Sequence, residues 1–153
     1  MTTWAAGRHG GRTIFRGTNL SQRTARRALA GRTALVVDDD PDAREMLREL
    51  LEAQGMVVIT AHHGWAALRE LRSTRVDVIV LDLLMPIVDG WAFRRAQLRD
   101  ANLATIPVVV LSAAAGAGAP ISASADLEKP VAFEELLDAL EEALLQGAPA
   151  PTT

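Results

Sequence analysis

The chain has no cysteine. Disulfides and thiolate metal sites are therefore excluded, and cysteine usage leaves the redox compartment open. No apolar run approaches the roughly 20 residues of a membrane-spanning helix. Acidic residues are missing from the first 32 positions, which hold seven arginines and five glycines. Aromatics are scarce there, with only Trp4 and Phe15, so the interleaved rings of a base-stacking surface are thin. Residues 33–153 carry all 19 acidic groups, against a net charge of −3 for the whole chain. That change of sign marks a boundary near Gly31.

Residues 1–32 read first as a basic, disordered N-terminal extension, or as a start site set too far upstream. A sharper reading is an arm that binds nucleic acid, an anionic membrane or an acidic partner through its arginines. The segment also has the Arg-rich, acid-poor look of a transit peptide, while Arg26-Arg27 lacks the apolar stretch of an export signal. A short helix over Ser21 to Ala30 fits the propensities of Ala and Arg.

Beyond the boundary the length suits one domain, residues 33–146, with a frayed tail at 147–153. Val78-Ile79-Val80-Leu81 is an unbroken aliphatic run that stops at Asp82, the pattern of a strand buried on both faces of a parallel sheet. Ala34-Leu35-Val36-Val37 is a similar run and ends in Asp38-Asp39-Asp40. Asp40 suits a helix cap, with Pro41 at the first helical position. Met46, Leu47, Leu50 and Leu51 then recur at helical spacing up to Gly55. Met56 to Ile59 reads as a strand, and Gly64 to Ser73 as a helix. Trp91 to Arg99 is a third helix, with Asp89 as its cap. Ile106 to Leu111 is a strand ending at Ser112, and Ala125 to Glu128 is a short strand ending at Lys129-Pro130. Phe133, Leu136, Leu137, Leu140 and Leu144 mark the last helix. The alternation predicts a doubly wound parallel sheet. Residues 113–123 are Ala, Gly, Ser and Pro with Ile121 as the one sizeable apolar anchor, so the fourth helix is shortened or irregular.

In a parallel sheet these strand ends share one edge, where ligands bind in open α/β folds. Asp38, Asp39, Asp82, Ser112 and Lys129 then form a cluster of three carboxylates, a hydroxyl and an ammonium. Crowded carboxylates raise one another's pKa, and a hard cation relieves the repulsion. Mg²⁺ suits such a site, because it is commonly held by one or two carboxylates with waters and phosphate oxygens. The cation and Lys129 would neutralise an incoming phosphoryl group, and a carboxylate is a competent nucleophile for an acyl phosphate. His62 and His63 lie away from this cluster and read as exposed loop residues. Trp65 and Trp91 read as packing residues.

Four fragments, each at a strand end, carry a resemblance. They are Leu35-Val36-Val37-Asp38-Asp39-Asp40-Pro41, Leu81-Asp82-Leu83-Leu84-Met85-Pro86-Ile87-Val88-Asp89-Gly90, Pro107-Val108-Val109-Val110-Leu111-Ser112-Ala113 and Lys129-Pro130. With them, residues 33–146 resemble a receiver domain of two-component response regulators, of the chemotaxis-regulator type. The resemblance implies a flavodoxin-like five-stranded sheet of order 2-1-3-4-5. It implies that Asp82 accepts a phosphoryl group from a sensor histidine kinase or a phosphotransfer protein. Asp38 and Asp39 would hold Mg²⁺ together with Asp82 and the backbone carbonyl of Leu84, with Asp39 the more direct ligand. Ser112 and Lys129 would contact the phosphoryl group. The protein is then a cytoplasmic phosphoacceptor switch rather than a classical enzyme, limited to Mg²⁺-dependent self-phosphorylation and slow dephosphorylation. With few residues after the last helix, it is expected to stand alone and signal to a downstream protein target.

Three departures accompany the resemblance. Asp126 stands three residues before Lys129, where the family usually has an aromatic side chain. The span from Ser112 to Lys129 is several residues shorter than usual. Leu84 and Ala114, flanking the family's water path, are apolar, which implies a slowly hydrolysed acyl phosphate. The first two put the usual output surface in doubt and point to the first or last helix instead. A competing reading is a non-switching pseudo-receiver, an interaction module tethered by its basic arm. A haloacid-dehalogenase-like phosphatase is disfavoured, because the second acid/base aspartate it needs two residues after the nucleophile is Leu84.

Overall fold

Five short strands lie side by side in the order β2-β1-β3-β4-β5, every neighbouring pair parallel. They are β1 (Thr33–Val37), β2 (Val57–Ala61), β3 (Val78–Asp82), β4 (Val108–Ser112) and β5 (Ala125–Glu128). The helices between and after them are α1 (Pro41–Glu52), α2 (Gly64–Ser73), α3 (Gly90–Arg99) and α4 (Phe133–Gln146). The computed structural model describes residues 27–83, 90–112 and 122–147. This is a flavodoxin-like sheet, in the expected strand order. Residues 113–121, where the shortened fourth helix was expected, lie outside the described residues, as do Leu84, Asp89 and Ala114. No helix among the described residues is long and apolar enough to cross a membrane.

Strand periodicity sorts the core into two layers. Ala34, Val36, Val78, Val80, Val109 and Leu111 face one side, where they pack with Leu47 and Leu51 of α1 and Leu136 and Leu140 of α4. Leu35, Val37, Ile79, Leu81, Val108 and Val110 face the other, with Ala67, Leu68 and Leu71 of α2 and Phe93 of α3. The central strands β1, β3 and β4 are thus covered on both faces, which is why their sequences are unbroken aliphatic runs. Edge strands β2 and β5 are more exposed. β2 starts one residue later than expected and continues through Thr60 and Ala61, because these pair with Val36 and Val37.

Caps fix two helix starts. The Asp40 side chain accepts from Asp42 N at 3.0 Å, and Pro41 follows in the first turn, as expected. At α2 the cap is His63, whose Nδ1 accepts from Ala66 N at 3.0 Å. An imidazole nitrogen does there what a serine or aspartate oxygen usually does, so His63 has a structural role that a loop reading does not supply.

Two polar side chains are buried within α3. Arg94 Nε donates to Ser122 O at 2.7 Å, and its Nη1 donates to Gln97 Oε1 at 2.7 Å. Gln97 Nε2 in turn donates to Leu103 O at 3.0 Å and to Ile106 O at 3.1 Å. The network ties α3 both to the approach to β4 and to the approach to β5. Burial pulls the Arg94 guanidinium below its ordinary pKa.

The packed unit also reaches back past the charge boundary near Gly31. Residues 27–29 form a helical turn, and Leu29 is only 1% exposed, within the layer of Leu47, Leu51 and Met56. Gly31 N donates to Gly55 O at 2.8 Å, and both glycines have positive φ, at 78° and 84°. The arginines around Leu29 conceal this in the sequence, because charge reports what is solvated and not where one leucine points. Of the helix expected over Ser21 to Ala30, residues 27–29 are helical, and residues 21–26 lie outside the described residues. Leu29→Ala is expected to lower the unfolding free energy by about 2–4 kcal/mol. An unchanged urea midpoint would contradict the packing of this turn.

Candidate functional site

Parallel register brings the polar strand ends to one edge. Val37 pairs with Leu81, so Asp38 follows beside Asp82. Asp82 pairs with Leu111, and Ser112 with Glu128, directly before Lys129. Carboxylate oxygens of Asp38, Asp39 and Asp82 all lie within 4.8 Å of one another. Lys129 Nζ is 3.3 Å from Asp82 Oδ1. The backbone N of Lys129 donates to Ser112 O at 2.7 Å, which fixes the lysine beside the end of β4. Lys129 is the single lysine in the chain.

Four of the expected side chains, Asp38, Asp39, Asp82 and Lys129, are therefore together. Ser112 is at the same edge, but its hydroxyl donates to Asp126 Oδ1 at 3.0 Å. The Leu84 carbonyl falls outside the described residues.

Burial makes the cluster electrostatically tense. Asp38 is 1% exposed and Asp82 4%, while Asp39 is exposed. The Asp38 carboxyl is raised from 3.8 to about 6, chiefly by burial. The Asp40 backbone N–H opposes the rise, Asp82 adds to it, Lys129 lowers it and Asp39 raises it further. Asp38 Oδ1 accepts from Asp40 N at 2.9 Å, whereas its buried Oδ2 has no hydrogen-bond partner among the described residues. An orphaned carboxylate oxygen beside two more carboxylates fits a hard cation with oxygen ligands.

Two further residues shape this edge without having stood out in the sequence. Arg44 Nη1 donates to Asp38 O at 2.8 Å, which ties the first helix to the end of β1. An arginine four residues after a helix cap gives no sequence signal for that contact. Gly90 packs on the backbone that follows β3. A Cβ there would lie 2.6 Å from Leu83 Cα and 2.8 Å from Asp82 O. Gly90 N also donates to Leu83 O at 2.9 Å. Glycine is thus required at this position by its close approach to the backbone of Leu83 and Asp82.

A family model described as the response regulator receiver domain matches residues 34–141. The chain belongs to this family. Receiver domains are phosphoacceptor switches of two-component signalling, phosphorylated by sensor kinases, and they bind Mg²⁺ at an acidic pocket. The response regulator MprA of Mycobacterium ulcerans (strain Agy99) is 44% identical over 108 residues, covering 67% of this chain and 46% of that protein. MprA of Mycobacterium tuberculosis (strain H37Rv) is 42% identical over 120 residues, covering 75% of this chain and 51% of that protein. The chain thus spans about half the length of the curated relatives it matches. Among solved structures, the chemotaxis response regulator CheY4 of Vibrio cholerae has a TM-score of 0.69 at 30% identity, over 75% of this chain and 100% of that one. TrrA of Thermotoga maritima, determined in complex with Mg²⁺-BeF, has a TM-score of 0.66 at 28% identity, over 72% of this receiver chain and 97% of its own.

The raised Asp38 pKa has a consequence for stability. Folding favours the protonated acid, so its contribution is complete below pH 3.8 and is lost as pH rises through about 6. The loss for metal-free protein is on the order of 2–3 kcal/mol. Urea unfolding from pH 4 to pH 7 is expected to show this fall in wild type relative to Asp38→Asn. Parallel pH profiles for the two proteins would contradict it.

Proposed function

We propose that this receiver domain accepts a phosphoryl group on Asp82 and switches its contacts with a downstream protein target in the cytoplasm. The observation that carries the reading is the ion pair of Lys129 with Asp82, 3.3 Å long, in a cluster of three carboxylates of which Asp38 and Asp82 are buried. The pairing puts Lys129 beside the carboxylate that would carry the phosphoryl group, at the strand-end edge where ligands bind in open α/β sheets.

The chemistry assigns each side chain a task. An Asp82 carboxylate oxygen attacks the phosphorus of a phosphohistidine on a sensor kinase or phosphotransfer protein. The P–N bond breaks, the imidazole leaves with its electron pair and takes a proton, and an acyl phosphate remains. Mg²⁺ held by Asp38, Asp39, Asp82 and the Leu84 carbonyl would supply neutralisation of the phosphoryl oxygens. Lys129 moves from the unphosphorylated Asp82 carboxylate to a phosphoryl oxygen and keeps its charge paired. Ser112 donates its hydroxyl proton to another. The inward movement of Ser112 and Lys129 biases the surface around β4 and β5, and a partner protein reads the change.

A second reading, the non-switching pseudo-receiver, draws on one observation. Ser112 is engaged by Asp126 rather than free to meet a phosphoryl group. Incubation with acetyl phosphate and Mg²⁺ separates the two, read by intact mass. The switch predicts one phosphoryl adduct on wild type and none on Asp82→Asn. No adduct on wild type, or the same adduct on the variant, would favour the pseudo-receiver.

Lifetime provides another test. Leu84 and Ala114 stand two residues after Asp82 and Ser112 and are apolar. Neither side chain can orient an attacking water by hydrogen bonding. The purified acyl phosphate is therefore expected to persist for many minutes at neutral pH. Spontaneous loss within seconds would contradict this.

A further inference from the structure

A serine hydroxyl has one proton to donate. Here that proton is given to Asp126 Oδ1 at 3.0 Å. The contact follows from register. Ser112 pairs with Glu128, and Asp126 lies two positions earlier on β5, opposite Val110. Ser112 and Asp126 are therefore diagonal neighbours on one face of the sheet, within reach of each other's side chains. Leu127 points to the opposite face, into the layer of α1 and α4. The Lys129 N to Ser112 O bond holds the two strand ends in this alignment.

We propose that Asp126 is a latch on Ser112, a positioning residue that competes with the phosphoryl group for the single Ser112 proton. The proposal rests on the phosphoacceptor reading of Asp82 and deepens it. A carboxylate is a strong acceptor, so the resting bond is charge-assisted. Its exposure limits its strength, which makes the latch releasable and not permanent. A phosphoryl group on Asp82 offers oxygens of greater charge on the inner side of the edge. For Ser112 to turn inward, the Asp126 bond must break. The cost of that break is subtracted from the stability of the activated state. Asp126 thereby sets the balance between the two states without touching the phosphoryl group.

A different effect of Asp126 would be plain repulsion of an added anion. The two differ in one respect: the latch acts only through the Ser112 hydroxyl, whereas repulsion does not need it. A double-mutant cycle separates them. The probe is beryllium fluoride at saturating Mg²⁺, titrated calorimetrically into the full chain. Asp126→Ala is expected to bind it roughly three- to tenfold more tightly than wild type, with Asp126→Asn in between. In a Ser112→Ala background the gain from Asp126→Ala is expected to vanish. Affinity for Mg²⁺ alone is expected to be the same for wild type and Asp126→Ala. If Asp126→Ala proves unfolded by circular dichroism, the isosteric Asp126→Asn carries the cycle. Equal beryllium fluoride affinities for wild type and variant would overturn the latch and leave the phosphoacceptor reading standing. A gain that survives in Ser112→Ala would also overturn it, in favour of simple repulsion. No binding of beryllium fluoride to wild type would overturn the phosphoacceptor reading, and the latch with it.

Discussion

Three carboxylates held at one sheet edge, two of them buried, with one lysine beside them, are the constraint on which the rest of this structure depends. The interaction is unfavourable by itself. Asp38 loses water, has one oxygen without a donor among the described residues, and lies close to two other acids. Lys129 offsets part of the repulsion through Asp82. The fold must pay for this crowding elsewhere, and the means are visible. The β1–β3 register sets Asp38 against Asp82, Arg44 ties down the Asp38 backbone, and Gly90 lets the chain after β3 close on itself. The two aliphatic layers hold the strands that keep those charges together. The crowding is of the kind that a cation and a phosphoryl group would relieve.

Much of this arrangement was legible in the sequence, for definite reasons. Residues of the central strands are covered on both faces, so Val36, Val80 and Val110 belong to unbroken runs that stand out. Each run stops at a polar residue, and parallel pairing then gathers the stops at one edge. That logic reached Asp38, Asp39, Asp82, Ser112 and Lys129 before any coordinates. It did not reach Leu29, whose burial is hidden by flanking arginines. Nor did it reach Arg94 and Gln97, because a buried arginine in an amphipathic helix looks like part of a solvated face. His63 was legible as a histidine near a turn but not as a cap, since that depends on one ring nitrogen facing one backbone N–H. Asp126 was visible as a departure from the family pattern. Its partner was not, because the meeting with Ser112 depends on how β5 registers against β4 across an intervening stretch poor in apolar anchors.

The similarity to the MprA proteins covers the receiver and about half of their length. It speaks to the switch and not to whatever the other half does in them. Within the receiver, two polar contacts reach β5 or its approach, one from α3 and one from β4. Arg94 reaches Ser122 O at the approach to β5, and Ser112 reaches Asp126 on β5 itself. Both are polar contacts in places where a strand-end serine and a buried helix face would ordinarily be read as plain. β5 and its approach therefore hold both acceptors, Asp126 and Ser122.

Burial of Asp38, with Asp82 and Asp39 close by, would give this edge affinity for a hard cation. Metal binding to a partly protonated acid must release protons. Calorimetric titration of Mg²⁺ into the receiver domain at pH 6, repeated in two buffers of different ionisation enthalpy, measures that release directly. With Asp38 titrating at about 6, the account predicts release of up to roughly half a proton per bound ion, falling away by pH 8. Binding with no proton release at pH 6, or no binding of Mg²⁺ at all, would contradict it.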